Sequence, residues 1–284
     1  MGVTESHPTT VSWRQEMGDF VMDYRMKYPL LAALTLISLL VAAAQAETPG
    51  QQSAPQPDTS SPAAVPSIPG IKVLFSGKAE EIAANWEQKG QPGKWDFEDG
   101  AMIASSPDSL STKEKFTDYQ LHVEFREPYL PNAKGQSKGN SGVFMQGRYE
   151  IQVLDSYGVS DPGTGDCGAV YSIAAPLVNA CKPPLQWQSY DIVYRAPRID
   201  PQTRAVLELP RVTVLLNGVI VQNQVAIPST THQVKSKPGE APKPRTLPAG
   251  YDTPGPITLQ WHGERVAFRN IWIVPLALKG AEHY

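Results

Sequence analysis

From Arg148 to Val153 polar and apolar side chains alternate without a break. Arg148, Glu150 and Gln152 fall on one side of an extended chain, and Tyr149, Ile151 and Val153 on the other. A segment of this kind is a β-strand that buries one face in a core. Its other face carries an arginine, a carboxylate and an amide together, as a polar, sugar-sized groove requires. A Gly139-Asn140-Ser141-Gly142 turn leads into it. The same period recurs in Tyr119–Arg126, where Leu121, Val123 and Phe125 oppose His122, Glu124 and Arg126. The stretches 188–194, 211–216, 218–222, 257–261 and 266–274 are rich in β-branched and aromatic residues and read as further strands. Asn217-Gly218 and Asp99-Gly100 are hairpin turns. The one helix-like stretch of note is Ala79–Glu87. Many strands, frequent turns and little helix predict an all-β fold, a β-sandwich.

The amino terminus points to export. Arg25 and Lys27 precede an apolar run from Pro29 to Ala44, which leads into Ala44-Gln45-Ala46. Basic flank, apolar run and small-residue site together make a secretory signal cleaved after Ala46. The run is shorter than the roughly 20 residues of a spanning helix. Membrane contact is therefore expected only through an uncleaved signal. The leader is long, and Met22 or Met26 could be the true start. Residues 1–46 form the extension and signal, and residues 47–67 a Pro-, Ser- and Gln-rich flexible tether. Residues 68–280 form one domain, working in the periplasm or cell envelope. No cysteine lies near the cleavage site, so a lipid-anchored form is unsupported. A net charge of −3 with no basic stripe argues against a nucleic-acid partner.

Cys167 and Cys181 are the only cysteines. In an exported chain they read first as a disulfide, worth about 3 kcal/mol for a loop of this length. Two free buried thiols are the alternative. The segment Pro228–Pro256, rich in Pro, Lys, Thr and Gly, is a long loop of the kind that is often functional.

A series of motifs in one order supports a family resemblance. They include Leu74-Phe75-Ser76-Gly77-Lys78, Trp95-Asp96-Phe97-Glu98-Asp99-Gly100 and Gly139-Asn140-Ser141-Gly142. Arg148 to Asp155, Val178-Asn179-Ala180 and Trp187 to Ile192 follow. Leu216-Asn217-Gly218-Val219, Gly255 to Gln260 and Phe268-Arg269-Asn270-Ile271 complete them. Over about Ile71–Leu276 the chain resembles the 3-keto-disaccharide hydrolase domain family. The resemblance implies a concanavalin-like lectin/glucanase jelly roll of two curved sheets. It also implies action on glycosides whose sugar is oxidised at C3. Two positions depart from the family pattern. Trp261-His262-Gly263 stands where the family usually has Asp-His-Gly, and Ser76 where it has Asp.

A ketone at C3 acidifies the hydrogen on C2, so one base can start cleavage. An enolate stabiliser is needed as well. A divalent metal could supply it, although no cofactor is required by the sequence. Direct hydrolysis by two carboxylates is the other route. Glu150 is the first candidate base or metal ligand, against a solvated carboxylate paired with Arg148 or Arg126. Glu124 and His262 are the next catalytic candidates. Glu124, Glu150 and His262 converging would make a metal site. Arg148, Gln152, Asn140, Tyr171, Lys182 and Asp155 are candidate substrate contacts. For Lys182 an ordinary surface role, and for Asp155 a turn-capping role, stand beside that. Trp261 has core parity, and Arg269 could order a carboxylate. The expected partner is a small carbohydrate. A non-catalytic carbohydrate-binding module tethered in the envelope is the alternative to an enzyme, and a structural envelope protein the weaker third reading.

Overall fold

The computed structural model describes residues 54–228, 250–251 and 253–276. The signal segment, the first part of the tether and most of the 228–256 loop lie outside the described residues.

The chain runs β1 (Lys72–Phe75), α1 (Glu80–Asn85), β2 (Trp86–Gln88), β3 (Gln91–Pro92), β4 (Asp96–Glu98), β5 (Ala101–Ile103) and β6 (Leu110–Thr112). It continues through β7 (Tyr119–Arg126), a 3-10 turn at Gly135–Ser137, β8 (Ser141–Met145), β9 (Tyr149–Val153) and β10 (Gln188–Arg195). It ends with β11 (Arg198–Ile199), β12 (Val206–Glu208), β13 (Arg211–Leu216), β14 (Val219–Ala226), β15 (Thr258–Leu259) and β16 (Ala267–Pro275). Two antiparallel sheets form an all-β sandwich. The larger has the order β14-β13-β10-β7-β16-β5-β4, with β1 also on β16, and the smaller β3-β2-β6-β15-β8-β9.

Alternation sets the layers. Leu121, Val123 and Phe125 of β7 and Tyr190, Ile192 and Tyr194 of β10 form one side of the core. Val143 and Met145 of β8, Tyr149, Ile151 and Val153 of β9 and Leu259 of β15 form the other. Each such side chain contributes on the order of 2 kcal/mol by leaving water. Two tyrosines also tie the sheets together through the core: Tyr194 Oη donates to Gln146 Oε1 at 3.0 Å and Tyr190 Oη to the Gln152 carbonyl. The two predicted Asx-Gly turns join β13 to β14 and β4 to β5. Asn217 and Gly218 have φ of 54° and 81°, and Asp99 and Gly100 48° and 77°. Left-handed pairs of this kind match the twist of the strands they connect.

The tether differs from expectation. Part of it docks on the outer face of the larger sheet. The Asp58 N–H donates to the Leu185 carbonyl at 2.9 Å, and the Ala63 N–H to Glu124 Oε1 at 2.7 Å. The reason is the buried charge beneath it, which needs the strap's backbone groups as partners.

Candidate active site

The register of the smaller sheet builds the site. Across β15, β8 and β9, Thr258 stands beside Phe144 and Phe144 beside Glu150. One row further on, the Gln260 N–H donates to the Gly142 carbonyl at 2.9 Å, and Gly142 pairs with Gln152. These side chains alternate away from the core. Gly142 has none, so the row of side chains is interrupted between Gln260 and Gln152, which lie roughly 10 Å apart at two strand spacings, and this interruption is the hollow of the candidate site. The Glu150 side chain leans into it. A β-carbon at Gly142 would meet Glu150 Cγ at 2.9 Å. A glycine inside a strand marks this kind of close approach.

Glu150 is 2% exposed, and no described residue donates a hydrogen bond to its carboxyl. Burial pushes that carboxyl up to about 8. Among the described residues, Oε1 of Gln152 and Oε1 of Gln260 are buried acceptors without a partner. Uncommitted polar atoms around an unpaired acid are how a site waits for hydroxyl-bearing ligand or ordered water. The Gln152 nitrogen is committed, donating to Gln136 Oε1 at 2.9 Å and Asn140 Oδ1 at 3.3 Å. Asn140 Nδ2 in turn donates to the Gln136 carbonyl at 2.8 Å. Asn140 thus shapes the wall of the hollow. The segment Gly168–Tyr171 covers the open edge of β9, with the Tyr171 N–H on the Glu150 carbonyl at 3.1 Å. That places Tyr171 beside Glu150.

Several predicted members lie elsewhere. Arg148 belongs to the three-residue loop between β8 and β9, where Gln146 and Gly147 have φ of 53° and 64°. The loop takes Arg148 out of the strand alternation. Its guanidinium bonds Gln146 Oε1 at 3.0 Å and the Gly250 carbonyl at 2.8 Å instead of facing Glu150. His262 is half-exposed past the end of β15, and 3.9 Å from Glu264. Glu124 lies on β7, in the other sheet. Because Glu124 and Glu150 both alternate away from one shared core, they point from opposite outer faces. Glu124, Glu150 and His262 therefore do not converge and cannot hold one ion. Among the described residues no group of three or more His, Cys, Asp or Glu could hold a metal.

Glu124 is part of a buried network under the strap. Arg269 Nε donates to Glu124 Oε2 at 2.6 Å, and Asn270 Nδ2 to Oε1 at 2.7 Å. Burial opposes ionisation of Glu124. The nearby His122 ring and the bonds from Asn270, the Ala63 N–H and Arg269 outweigh it and bring the carboxyl down to about 2. Burial likewise opposes charge on His122, and the carboxylates of Asp191 and Glu124 overcome it, raising the imidazole to about 9. Lys182 belongs to this side too: its Nζ donates to the Trp187 carbonyl at 2.8 Å. Asp155 closes the far end of β9. It pairs with Lys138 Nζ at 3.1 Å and accepts from the Tyr157 N–H at 3.2 Å, which is the turn-capping role.

Cys167 and Cys181 are free thiols and form no disulfide. The Cys167 thiol beside Cys181, together with burial, keeps Cys181 protonated. The loop holds itself by other means. Asn179 Nδ2 donates to the Ser156 and Val159 carbonyls at 2.7 and 2.8 Å, and Gln222 Nε2 to the Gly168 carbonyl at 2.9 Å.

Sequence reasoning missed Gly142 as the floor of the hollow and Gln136 as the residue that orders Gln152. A glycine between Ser141 and Val143 was the available signal for the first. Nothing in the sequence marks the second.

No protein of curated function matches the sequence. Among solved structures, a candidate glycosyl hydrolase from Parabacteroides distasonis is 34% identical with a TM-score of 0.63, covering 77% of this chain and 95% of that one. A second candidate glycosyl hydrolase from the same organism is 21% identical with a TM-score of 0.50, covering 73% and 94%, and supports the fold alone. The model of the 3-keto-alpha-glucoside-1,2-lyase-like domain matches residues 70–274. The chain belongs to that family, the 3-keto-disaccharide hydrolase family its motifs resemble.

Proposed function

We propose that this protein cleaves glycosides oxidised at C3, with Glu150 as the proton-transfer group. The observation that carries this reading is the Glu150 carboxyl, unpaired among the described residues and pushed up to about 8, in a hollow flanked by uncommitted amide oxygens. A base with a pKa near the working pH transfers protons most effectively. Ionised Glu150 takes the proton from C2, and the electron pair enters an enolate spanning C2, C3 and the C3 oxygen. The enolate re-forms the C3 carbonyl, makes a C1–C2 double bond and breaks the bond from C1 to the leaving oxygen, which takes a proton from water. Water then adds across C1 and C2: hydroxyl goes to C1, and protonated Glu150 returns its proton to C2. The sum is hydrolysis. The Gln260 amide can turn its N–H edge to the enolate oxygen. Gln152 can accept from a sugar hydroxyl. The family description and the glycosyl-hydrolase relative support a glycoside-acting enzyme.

We read the sandwich as a concanavalin-like jelly roll. We also place the activity in the periplasm or envelope, on the strength of the leader ending at Ala46. Release of the leaving group from a 3-keto-glucoside by the purified chain tests the enzyme reading. Glu150→Gln should abolish release while leaving the circular dichroism spectrum unchanged. Saturable sugar binding with no cleavage by the native chain would instead identify a binding module.

A further inference from the structure

Beyond the hollow lies a pocket of about 510 Å³ that the chemistry at Glu150 does not use. Its volume falls in the range of small-molecule sites. Tyr129 and Tyr157 stand on its walls with Pro131 and Pro183, and Lys138 and Asp155 are its charged members. Tyr157 is 54% exposed, a large ring that the core does not employ.

The pocket adjoins the hollow. The Asp155 N–H donates to the Lys138 carbonyl at 2.8 Å, so these two residues extend the β8–β9 pairing past Ser141 and Val153. Val153 and Leu154 are both core residues, which breaks the alternation just before Asp155. Gln136 lies two residues before Lys138 and holds Gln152. The segment 136–138 is therefore a shared wall: its Gln136 end orders the hollow and its Lys138 end the pocket. Asp155 lies three positions after Gln152, roughly 10 Å of extended chain. That is the reach of the leaving part of a glycoside whose reacting sugar lies over Gly142.

We propose that this pocket binds the leaving group, and that it is built for an aromatic aglycone. The proposal rests on the reading of Glu150 given above. Tyrosine and proline walls offer flat apolar surfaces for a ring. The one ion pair, Lys138 with Asp155, is engaged with itself. A second sugar would bring several hydroxyls needing partners, whereas an aryl group brings at most one or two.

Two 3-keto-glucosides with leaving alcohols of like acidity, ethyl and 2-phenylethyl, test this without changing the bond broken. The 2-phenylethyl compound should show a KM about tenfold lower, the effect of one good ring contact. Tyr157→Ala should erase that difference and leave the ethyl compound unaffected. Equal KM values for the two, or a preference for a glucosyl leaving group that Tyr157→Ala removes, would overturn the proposal. Calorimetric binding of the unoxidised ethyl and 2-phenylethyl glucosides reads the pocket without turnover. Cleavage of neither 3-keto compound with phenylethyl-selective binding would sink the Glu150 reading and keep the pocket. Cleavage of both with no selectivity in either assay would do the reverse.

Discussion

The side chain of Glu150 lies directly against the backbone of Gly142, on the neighbouring strand: a β-carbon at position 142 would approach Glu150 Cγ to 2.9 Å. Contacts that short are not tolerated, so one of the two must move. The glycine is thus what lets an acid, desolvated and unpaired, lie flat in the smaller sheet's outer face.

Gly142→Ala should therefore cost activity more than stability. Displacing Glu150 by about 1 Å is enough to lower kcat on the order of 100-fold. Overpacking at one methyl costs typically 1–3 kcal/mol. Turnover of a 3-keto-glucoside and urea unfolding of the same preparation check both numbers. Full activity in a folded Gly142→Ala variant would show that Glu150 is not held in place by this contact.

The strands and the two hairpin turns were legible because their causes are local: alternation in Tyr119–Arg126 and left-handed residues at Asn217-Gly218 and Asp99-Gly100. Which strand joins which sheet was not. Glu124 and Glu150 have the same parity relative to their neighbours, but parity is blind to the layer. Once β7 and β9 enter different sheets, equal parity means opposite faces. Arg148 shows the same limit at a strand end. One loop residue more removes it from the row that Glu150 and Gln152 share. Docking of Asp58 and Ala63 was hidden for another reason: a Pro- and Ser-rich segment carries no periodicity, and its partners are backbone groups.

Stability should fall as pH rises from about 4.5 to 8 because of Glu150. Its folded pKa, about 8, lies above the ordinary 4.5, so the folded state holds a proton that the unfolded state has released. The contribution is present below about 4.5 and is lost through 8, on the order of 5 kcal/mol in all. His122, raised from 6.5 to about 9, adds a loss of the same sign only above about 6.5. Between pH 5 and 6.5 the other contributor is Glu127, whose carboxyl burial also raises well above the ordinary range, so the difference between native chain and variant isolates Glu150. Unfolding free energies there should slope downward more steeply in the native chain than in Glu150→Gln. Parallel slopes would mean that the carboxyl ionises normally. By the same titration, kcat/KM should climb with pH and level off above about 8 if Glu150 acts as a base.

Proton removal from C2 leaves an isotopic record. Cleavage in heavy water should place deuterium at C2 of the released 3-keto sugar to the extent that protonated Glu150 exchanges with solvent before it returns its proton, and a substrate deuterated at C2 should react several-fold more slowly. Proton NMR of product formed faster than spontaneous exchange reads the deuterium directly. Hydrolysis by a carboxylate pair leaves the C2 hydrogen in place, so undeuterated product together with an undiminished rate for the C2-deuterated substrate would replace elimination with that route.

Arg269 and Glu124 should matter for stability and not for chemistry. The guanidinium donates to Glu124 at 2.6 Å and to the Ser60 carbonyl at 2.7 Å, and lies 4.0 Å from the centre of the Trp187 ring. It thus joins β7, β16 and the strap on the face opposite Glu150. Arg269→Met leaves Glu124 as a buried carboxylate without its arginine partner, which typically costs 3–5 kcal/mol. Glu124→Gln should cost a comparable amount by stranding Arg269. The double variant Glu124→Gln with Arg269→Met should recover part of the loss, since neither charge is then stranded. Urea unfolding of all three measures the coupling. Turnover at a temperature where each variant is folded should stay within about twofold of the native value. A drop of 100-fold or more in folded Arg269→Met would mean that the larger sheet's outer face takes part in the reaction, and Glu124 would then return as a catalytic candidate.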